Sequence, residues 1–340
     1  TPRNGGVLTI RPAATPIYSA RDGQAGGGAL SLSATRGEGL PEAVFDIPAW
    51  RLTPGGFTAT LDGRATLDFD LARGIALQTR GELASSNGRL TYVAASCIPL
   101  TVERLELDES DVTAIAGQIC PADRPLVTVA DGGWRAEGLI AGLNASAPFL
   151  ALNFTDAKGR FVATGGPSGV GLEAQVASAL VVDATTPARF NPVTAQGSAW
   201  LANENWTGTF DLARSGTALG RMTLAHDARA GAGGLTIDAP SVVFAENGLQ
   251  PDDLSPLVAD FIQSPATGSV GFQGRIDWSS DTDGSSSGRL TIPGLDFVSP
   301  AGPVKGLRGT VDFTSLAPLV GTARESAART LARIGREPDW

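Results

Sequence analysis

Hydrophobic and polar residues alternate along most of the chain, and many of the alternating runs begin with glycine. Residues 274–278, 288–292 and 309–313 each place a polar side chain after the glycine and then alternate apolar with polar positions. The same arrangement occurs at 63–67 and 220–224. Alternation with a period of two is typical of a β-strand with one apolar and one solvated face. The pattern therefore predicts a long succession of strands, each buried on one face.

About twenty such runs follow one another, separated by turn signals. The 340 residues include 43 glycines and 22 prolines, and only 18% of them are charged, which favours many short strands over helices. We expect an all-β, mostly antiparallel fold. Residues 1–318 form one continuous β-rich segment in this interpretation, with possible internal boundaries near 130 and near 247.

Two segments depart from the strand pattern. Residues 251–263 begin with a proline and two acidic residues, which suit the first turn of a helix. The apolar positions that follow have helical spacing, so we expect a short helix that packs over an open end of the sheet. These positions are Leu254, Leu257, Val258, Phe261 and Ile262. Residues 319–340 are rich in alanine and arginine and are interpreted as a weakly helical or disordered tail.

The charge pattern narrows the classes of partner. The formal net charge is −9 and the acidic residues are scattered, which disfavours nucleic acid and electrostatic docking on an anionic membrane surface. No run of apolar residues is long enough for a membrane-spanning helix. The chain starts with Thr1, so we interpret it as an excised or processed segment.

The two cysteines lie symmetrically about the Asp108–Glu109 bond, between two alternating runs. If those runs form a hairpin that turns at this bond, Cys97 and Cys120 face each other at a distance that permits a disulfide. A disulfide would indicate an oxidising compartment. The alternative is a pair of reduced, buried thiols in a cytosolic protein.

Candidate catalytic chemistry is sparse. His226 is the single histidine, and we expect it to face solvent at the end of a strand rather than to act in a triad or a metal site. Asp281-Thr282-Asp283-Gly284 resembles the start of a calcium loop, but no bidentate acid follows at the required position. We therefore expect no enzyme activity, no cofactor and no metal.

Several motifs in the last third of the chain, together with the cysteine pair and Cys120-Pro121, resemble the YdbH-like branch of the AsmA/TamB proteins. Their shared region was once called a dicarboxylate transport domain. The motifs are Gly248-Leu249-Gln250-Pro251, Gly268-Ser269-Val270-Gly271-Phe272, Ile276-Asp277-Trp278, Leu295-Asp296-Phe297, Val304-Lys305-Gly306-Leu307-Arg308-Gly309 and Phe313-Thr314-Ser315-Leu316-Ala317-Pro318-Leu319.

The resemblance implies an elongated sheet curled into an apolar groove, taco-like or an incomplete barrel. It implies a periplasmic bridge in a Gram-negative bacterium that conducts phospholipid between the inner and outer membranes. The parent chain would be anchored in the inner membrane and could meet an outer-membrane partner protein. We expect the family's inner-membrane helix to have no counterpart among these 340 residues, and residues 321–340 to stand in place of the family's further strands after Leu319.

In such a groove the apolar sides of the strands would contact lipid. The alternative is that the same side chains fill an ordinary closed core, in a structural or adhesive surface protein without an apolar ligand. The candidate lipid-binding residues are Phe69, Leu71, Phe161, Phe210, Leu212, Met222, Leu224, Phe272, Ile276 and Phe297.

Overall fold

A computed structural model describes residues 5–13, 16–20, 26–37, 41–69, 71–107, 110–167, 169–280, 284–316 and 319–321. It has 74% strand and 4% helix, and its strands belong to one large antiparallel sheet. The all-β, antiparallel prediction is confirmed.

The strands are short near the amino terminus and reach sixteen residues further on. They are β1 Leu8–Pro12, β2 Gly27–Ala34, β3 Glu42–Thr53, β4 Gly56–Phe69, β5 Ala72–Ser86, β6 Arg89–Ala94, β7 Ile98–Leu105, β8 Val112–Cys120, β9 Val127–Ala130, β10 Gly133–Ala147, β11 Leu152–Gly166, β12 Gly169–Asp183, β13 Val193–Ala202, β14 Asn205–Arg214, β15 Thr217–Asp227, β16 Ala232–Phe244, β17 Gln263–Trp278, β18 Ser285–Ser299, β19 Gly302–Leu316 and β20 Leu319–Gly321. A helix, α1, spans Pro251–Leu254, and 3-10 turns span Pro148–Leu150 and Pro256–Val258.

The chain divides into two compact units. Unit 1 contains Thr1–Pro148, Phe154–Ala177 and Trp200–Asn203, and unit 2 contains Phe149–Asn153, Ser178–Ala199 and Glu204–Trp340. The possible boundaries near 130 and 247 stay predictions.

In unit 1 two long strands are bridged by four short ones. The long β5 pairs with β6 near one end and with β7 near the other, and the long β10 pairs with β9 and β8 in the same way. Between them β6 pairs with β9 and β7 pairs with β8. The four short strands therefore act as two strands that are each interrupted once.

The disulfide lies at these two interruptions. Cys97 lies between β6 and β7, Cys120 ends β8 before the gap to β9, and the two are joined. The β7–β8 register is symmetric about the predicted point, with Ile98 opposite Ile119. The predicted pairing is confirmed, although residues 108 and 109 at the turn lie outside the described residues. Ala94, Ile98 and Leu126 are buried together beside the same break.

In unit 2 the strands from β14 to β20 pair in chain order, each with the next. Three consecutive strand pairs have a register shift at the same height in the sheet. In the β16–β17 pair it lies between Ala239 and Val242, and the β17–β18 and β18–β19 pairs shift at the neighbouring positions. Pro240 and Pro293 lie at these shifts, and proline has no N–H to give to a neighbouring strand. Bulges bend a strand, so this part of the sheet bends along one line.

The short helix predicted near residues 251–263 is present, but it is shorter than the apolar spacing suggests. The α-helix ends at Leu254, because Pro256 cannot donate the next helical hydrogen bond and Ser255 has an extended backbone instead. A 3-10 turn follows, and Phe261 of the expected apolar stripe is 64% exposed. Leu254 and Ile262 do pack on a buried cluster of unit 2, so the segment covers that end of the sheet as expected. Leu319–Gly321 of the predicted tail form β20, and residues 322–340 lie outside the described residues.

The strands of unit 1 curve strongly. The strand register places Trp134 of β10 level with Phe57 of β4, and Phe69 lies at the other end of β4. The register runs from Trp134 to Phe57 through the paired residues Val129, Leu90 and Ser85. In a flat sheet twelve residues would separate the two levels by about 40 Å. The rings of Phe69 and Trp134 nevertheless meet edge to face, with centroids 5.7 Å apart. The two ends of the strands in unit 1 therefore approach each other.

One buried ion pair fixes the loop before β13. The Asp183 side chain is fully buried and pairs with Arg189, whose Nη2 lies 2.6 Å from Oδ1. Thr185 also donates to this carboxylate. Burial by itself raises the pKa of Asp183, but the hydrogen bonds from Arg189 and Thr185 outweigh it and lower the pKa to about 2.

We predict that replacing both cysteines by alanine lowers the free energy of unfolding by about 3 kcal/mol, because the bond closes a loop with a sequence separation of 23. Denaturant unfolding of the oxidised protein and of the double variant measures the difference. Dithiothreitol should lower the stability of the native chain to that of the variant and leave the variant unchanged. Equal stability of oxidised and reduced protein would contradict the prediction.

We predict that the Asp183 pair stabilises the fold only above acidic pH. The unfolded carboxyl has a pKa near 3.8 and the folded one a pKa of about 2, so the unfolded chain takes up the proton first as pH falls. About 2 kcal/mol of stability, present above pH 4, should be lost as pH falls through 2. The free energy of unfolding, measured by denaturant titration at pH 5 and at pH 2, should change less between the two pH values in Asp183→Asn than in the native chain.

The control for this experiment is Asp211→Asn, which removes a carboxylate that is paired with Arg221 but exposed. Exposed ion pairs contribute little to stability, so its pH dependence should match that of the native chain. An unchanged pH dependence in Asp183→Asn would contradict the assignment.

Candidate functional site

One face of the sheet in unit 2 is apolar across six strands. Directly opposed residues of antiparallel strands have side chains on the same face, so register defines rows that cross the strands. We call the face made of three such rows the apolar face. The first row is Leu212, Gly220, Ala239, Phe272, Leu290 and Val311, the second is Phe210, Met222, Ile237, Gly274, Gly288 and Phe313, and the third is Gly208, Leu224, Leu235, Ile276 and Ser286.

The opposite face of the same strands is polar. Arg221 pairs with Asp211 and Arg289 with Asp312, each across two neighbouring strands. Thr223 and Thr236 are hydrogen-bonded across the β15–β16 pair. The sheet of unit 2 is therefore amphipathic over its whole width, as the alternation predicts.

Glycines on the apolar face let aromatic rings lie flat along the sheet. A Cβ atom at Gly274 would lie 2.8 Å from the Phe272 ring, and one at Gly288 would lie 3.1 Å from it. Gly208 stands in the same relation to Phe210, at 2.8 Å. Because these rings lie over glycine residues instead of pointing away from the sheet, they project only a short distance from it.

The side chains of the apolar face are shielded from water incompletely. Phe210, Met222, Leu224 and Ile276 are all half-buried, although the rows of the last three continue on both sides of them. Among the described residues, no large side chain is less than 2% exposed. A closed core of this size normally contains such side chains, since protein interiors are close-packed.

An aromatic contact links the two ends of the strands in unit 2. Trp278 is at the carboxyl end of β17. Phe149 belongs to the opposite end, because the carbonyl of its neighbour Leu150 accepts a hydrogen bond from Arg189. Arg189 in turn accepts one from Ser255, beside α1 at the other end of the strands. The rings of Phe149 and Trp278 meet edge to face with centroids 5.3 Å apart. The contact encloses the apolar face at this point.

The structure brings six of the ten candidate residues together on the apolar face. Phe210 lies opposite Met222, and Leu224 is linked to Ile276 through Leu235. Leu212 and Phe272 belong to the remaining row. Their grouping follows from pairing that the sequence does not specify.

The other four candidates lie elsewhere. Phe297 is 8% exposed, within a closed cluster beneath α1 that includes Phe244 and Leu295. In unit 1, Phe161 packs against the cluster beside the disulfide, Phe69 is 43% exposed against Trp134, and Leu71 is half-buried. Phe272 of the first row packs against the cluster that contains Phe297, so Phe297 adjoins the apolar face from within that closed cluster.

His226 does not face solvent, so that expectation is wrong. It lies on the same side of β15 as Leu224 and is only 6% exposed. The indole of Trp278 crosses over Gly233 and donates a hydrogen bond from Nε1 to His226 Nδ1, 3.0 Å away. Burial lowers the pKa of His226, while Asp227 and the Ala232 carbonyl act in the opposite direction. The imidazole is therefore neutral near pH 7.

Sequence reasoning missed several residues of this site. Leu235, Ile237, Leu290, Val311 and Phe313 complete the rows and could have been found by extending the alternation through every strand. The aromatic group at the end of the face, Phe149, Trp206, His226 and Trp278, had no such signal, because its members come together by tertiary packing.

Comparison with known families identifies a relationship that covers most of the chain. The model of the YdbH-like family, described as intermembrane phospholipid transport protein YdbH, matches residues 55–328. The chain belongs to the YdbH-like family. Comparison with curated proteins gives no match, and neither does comparison with solved structures. The YdbH-like family is one of lipid transport in the bacterial envelope, and the disulfide is consistent with a periplasmic location.

The described part of the chain lacks two kinds of feature. Within it no helix is long and apolar enough to cross a membrane. Within it, too, no three histidine, cysteine, aspartate or glutamate residues gather in an arrangement that would hold a metal ion.

We predict that Gly233→Ala destabilises the protein by about 1–3 kcal/mol, because the added methyl group would meet the Ala225 carbonyl oxygen at 2.6 Å and the Trp278 ring at 2.7 Å. The matched control is Gly309→Ala on the same side of the sheet, where an added Cβ has no neighbour within 4 Å. Thermal unfolding of both variants tests this. Equal losses of stability would show that the space beneath the Trp278 ring is not required.

Proposed function

We propose that this chain is a periplasmic, non-enzymatic segment of an intermembrane bridge and that it conducts phospholipid along the apolar face. The observation that carries the proposal is the set of continuous apolar rows in which every large side chain except the buried Leu235 is only half-buried. Membership of the YdbH-like family supports the same conclusion.

The energetics of lipid transfer favour such a surface. Exposing an acyl chain of about sixteen carbons to water costs about 0.8 kcal/mol per methylene, or about 13 kcal/mol in total. A lipid that crosses an aqueous space therefore needs an apolar path without gaps. The rows through Phe210, Leu212 and Leu224 offer such a path across the strands of unit 2.

The curvature of the strands leaves room for a guest. Twelve residues of strand span about 40 Å, and a loop of this length whose ends nearly meet is about 15 Å across. Sheets whose facing side chains fill the space between them lie about 10 Å apart. The difference of about 5 Å is comparable to the width of an acyl chain. This length is that of the curved strands in unit 1; in unit 2, rings that lie flat over Gly208, Gly274 and Gly288 leave space above the apolar face.

The compartment and partners follow from the same proposal. The Cys97–Cys120 bond favours an oxidising compartment, which the periplasm provides. The parent protein would be anchored in the inner membrane and meet a partner at the outer membrane. The apolar cargo is a phospholipid or another acyl-chain lipid.

A photo-crosslinking pair tests the proposal. A photoreactive phenylalanine analogue at Leu224, on the apolar face, should form a covalent adduct with lipid in cells. The same analogue at Ala225, the next residue and exposed on the opposite face, should give only background. Mass spectrometry of the purified protein measures both adducts.

The matched positions separate specific contact from general membrane proximity. Equal labelling at 224 and 225, or none at 224, would contradict lipid conduction on this face and leave a structural or adhesive role.

A further inference from the structure

Two buried hydrogen-bond donors lie side by side at one end of the apolar face. Trp206 and His226 are directly opposite each other in the β14–β15 pair, so their side chains share a face. Trp206 Nε1 and His226 Nε2 are both buried, and neither has a hydrogen-bond partner among the described residues. Buried polar groups are normally paired, so such a pair indicates a missing acceptor.

The contact with Trp278 determines where the proton of His226 lies. An indole N–H can donate but not accept. His226 Nδ1 must therefore be the acceptor of the bond from Trp278, which places the proton of the neutral ring on Nε2. The Ala232 carbonyl is close enough to raise the pKa of the imidazole as a hydrogen-bond acceptor does, but its distance and angle to Nε2 are not those of a hydrogen bond. Both unpaired nitrogens thus present an N–H group.

The charged residues around Trp206 and His226 favour a neutral hydrogen-bond acceptor over an anionic one. The nearest charged groups along the chain are Asp227, which would repel an anion, and Arg229, which already pairs with Glu204. A dehydrated phosphate would need a cation beside it. An ester carbonyl oxygen is neutral and accepts two hydrogen bonds, and in a phospholipid it stands at the head of the acyl chain.

We infer that Trp206 Nε1 and His226 Nε2 bind the ester carbonyl oxygen of an acyl lipid, whose hydrocarbon chain lies on the adjoining row of Leu224, Leu235 and Ile276. Leu224 is two residues from His226 on the same face of β15, so the chain can continue from the polar pair onto the apolar row. The inference rests on the proposed lipid-binding function. It adds one polar binding position, for the ester carbonyl, to an otherwise apolar path.

The test compares two phospholipids with the same head group and chain length, one with ester-linked and one with ether-linked chains. The ether lipid lacks the carbonyl oxygens. The native protein should bind the diester about threefold to tenfold more tightly, the range that a net buried hydrogen bond gives. Competition against a fluorescent diether lipid measures this ratio. The indole N–H resonance of Trp206 should shift with the diester and not with the diether.

Two tryptophan variants sharpen the comparison. Trp206→Phe removes the N–H and keeps an aromatic ring, and its preference for the diester should fall to near unity. Trp200→Phe makes the same change at an exposed tryptophan and should retain the native preference.

Equal binding of diester and diether by the native protein would overturn the inference while leaving the proposed function intact. This comparison needs no variant, so it stands even if Trp206→Phe fails to fold. Failure of the native protein to bind either lipid would instead overturn the proposed function, and the inference with it.

Discussion

The curvature of one-sided strands is the constraint on which the other features depend. Each strand has an apolar and a polar side, so a flat sheet would expose the whole apolar side to water. Bending brings the strand ends together, as the Phe69–Trp134 contact shows in unit 1 and the Phe149–Trp278 contact indicates in unit 2. The apolar side is then partly shielded without a second sheet packed against it.

The structural features that bend the strands differ between the two units. In unit 2 a line of register shifts marked by Pro240 and Pro293 crosses three strand pairs. In unit 1 two strands are interrupted, and a disulfide holds the interruptions side by side. Both features remove ladder hydrogen bonds locally, which makes a sharp bend less costly there.

Much of the fold was predictable because its signals are local. Alternation identifies the two faces of each strand, and the symmetric positions of Cys97 and Cys120 define the β7–β8 register. Alternation does not specify neighbours or curvature, so the rows of the apolar face could not be assembled in advance. The helix predicted near 251–263 forms but ends after Leu254, because one proline outweighs the apolar spacing that follows. The burial of His226 depends on an indole that reaches across Gly233 from another strand.

Native mass spectrometry of the protein, purified without detergent from cells, is the most direct measurement of whether the apolar face carries lipid. If the apolar face carries lipid, the spectrum shows discrete added masses of whole phospholipids. These masses are lost when Leu224 is replaced by glutamate and retained when the neighbouring, outward-facing Ala225 is replaced by glutamate. A protein of bare mass, with an experimental structure in which opposing side chains meet across the interior, would contradict lipid binding on this face.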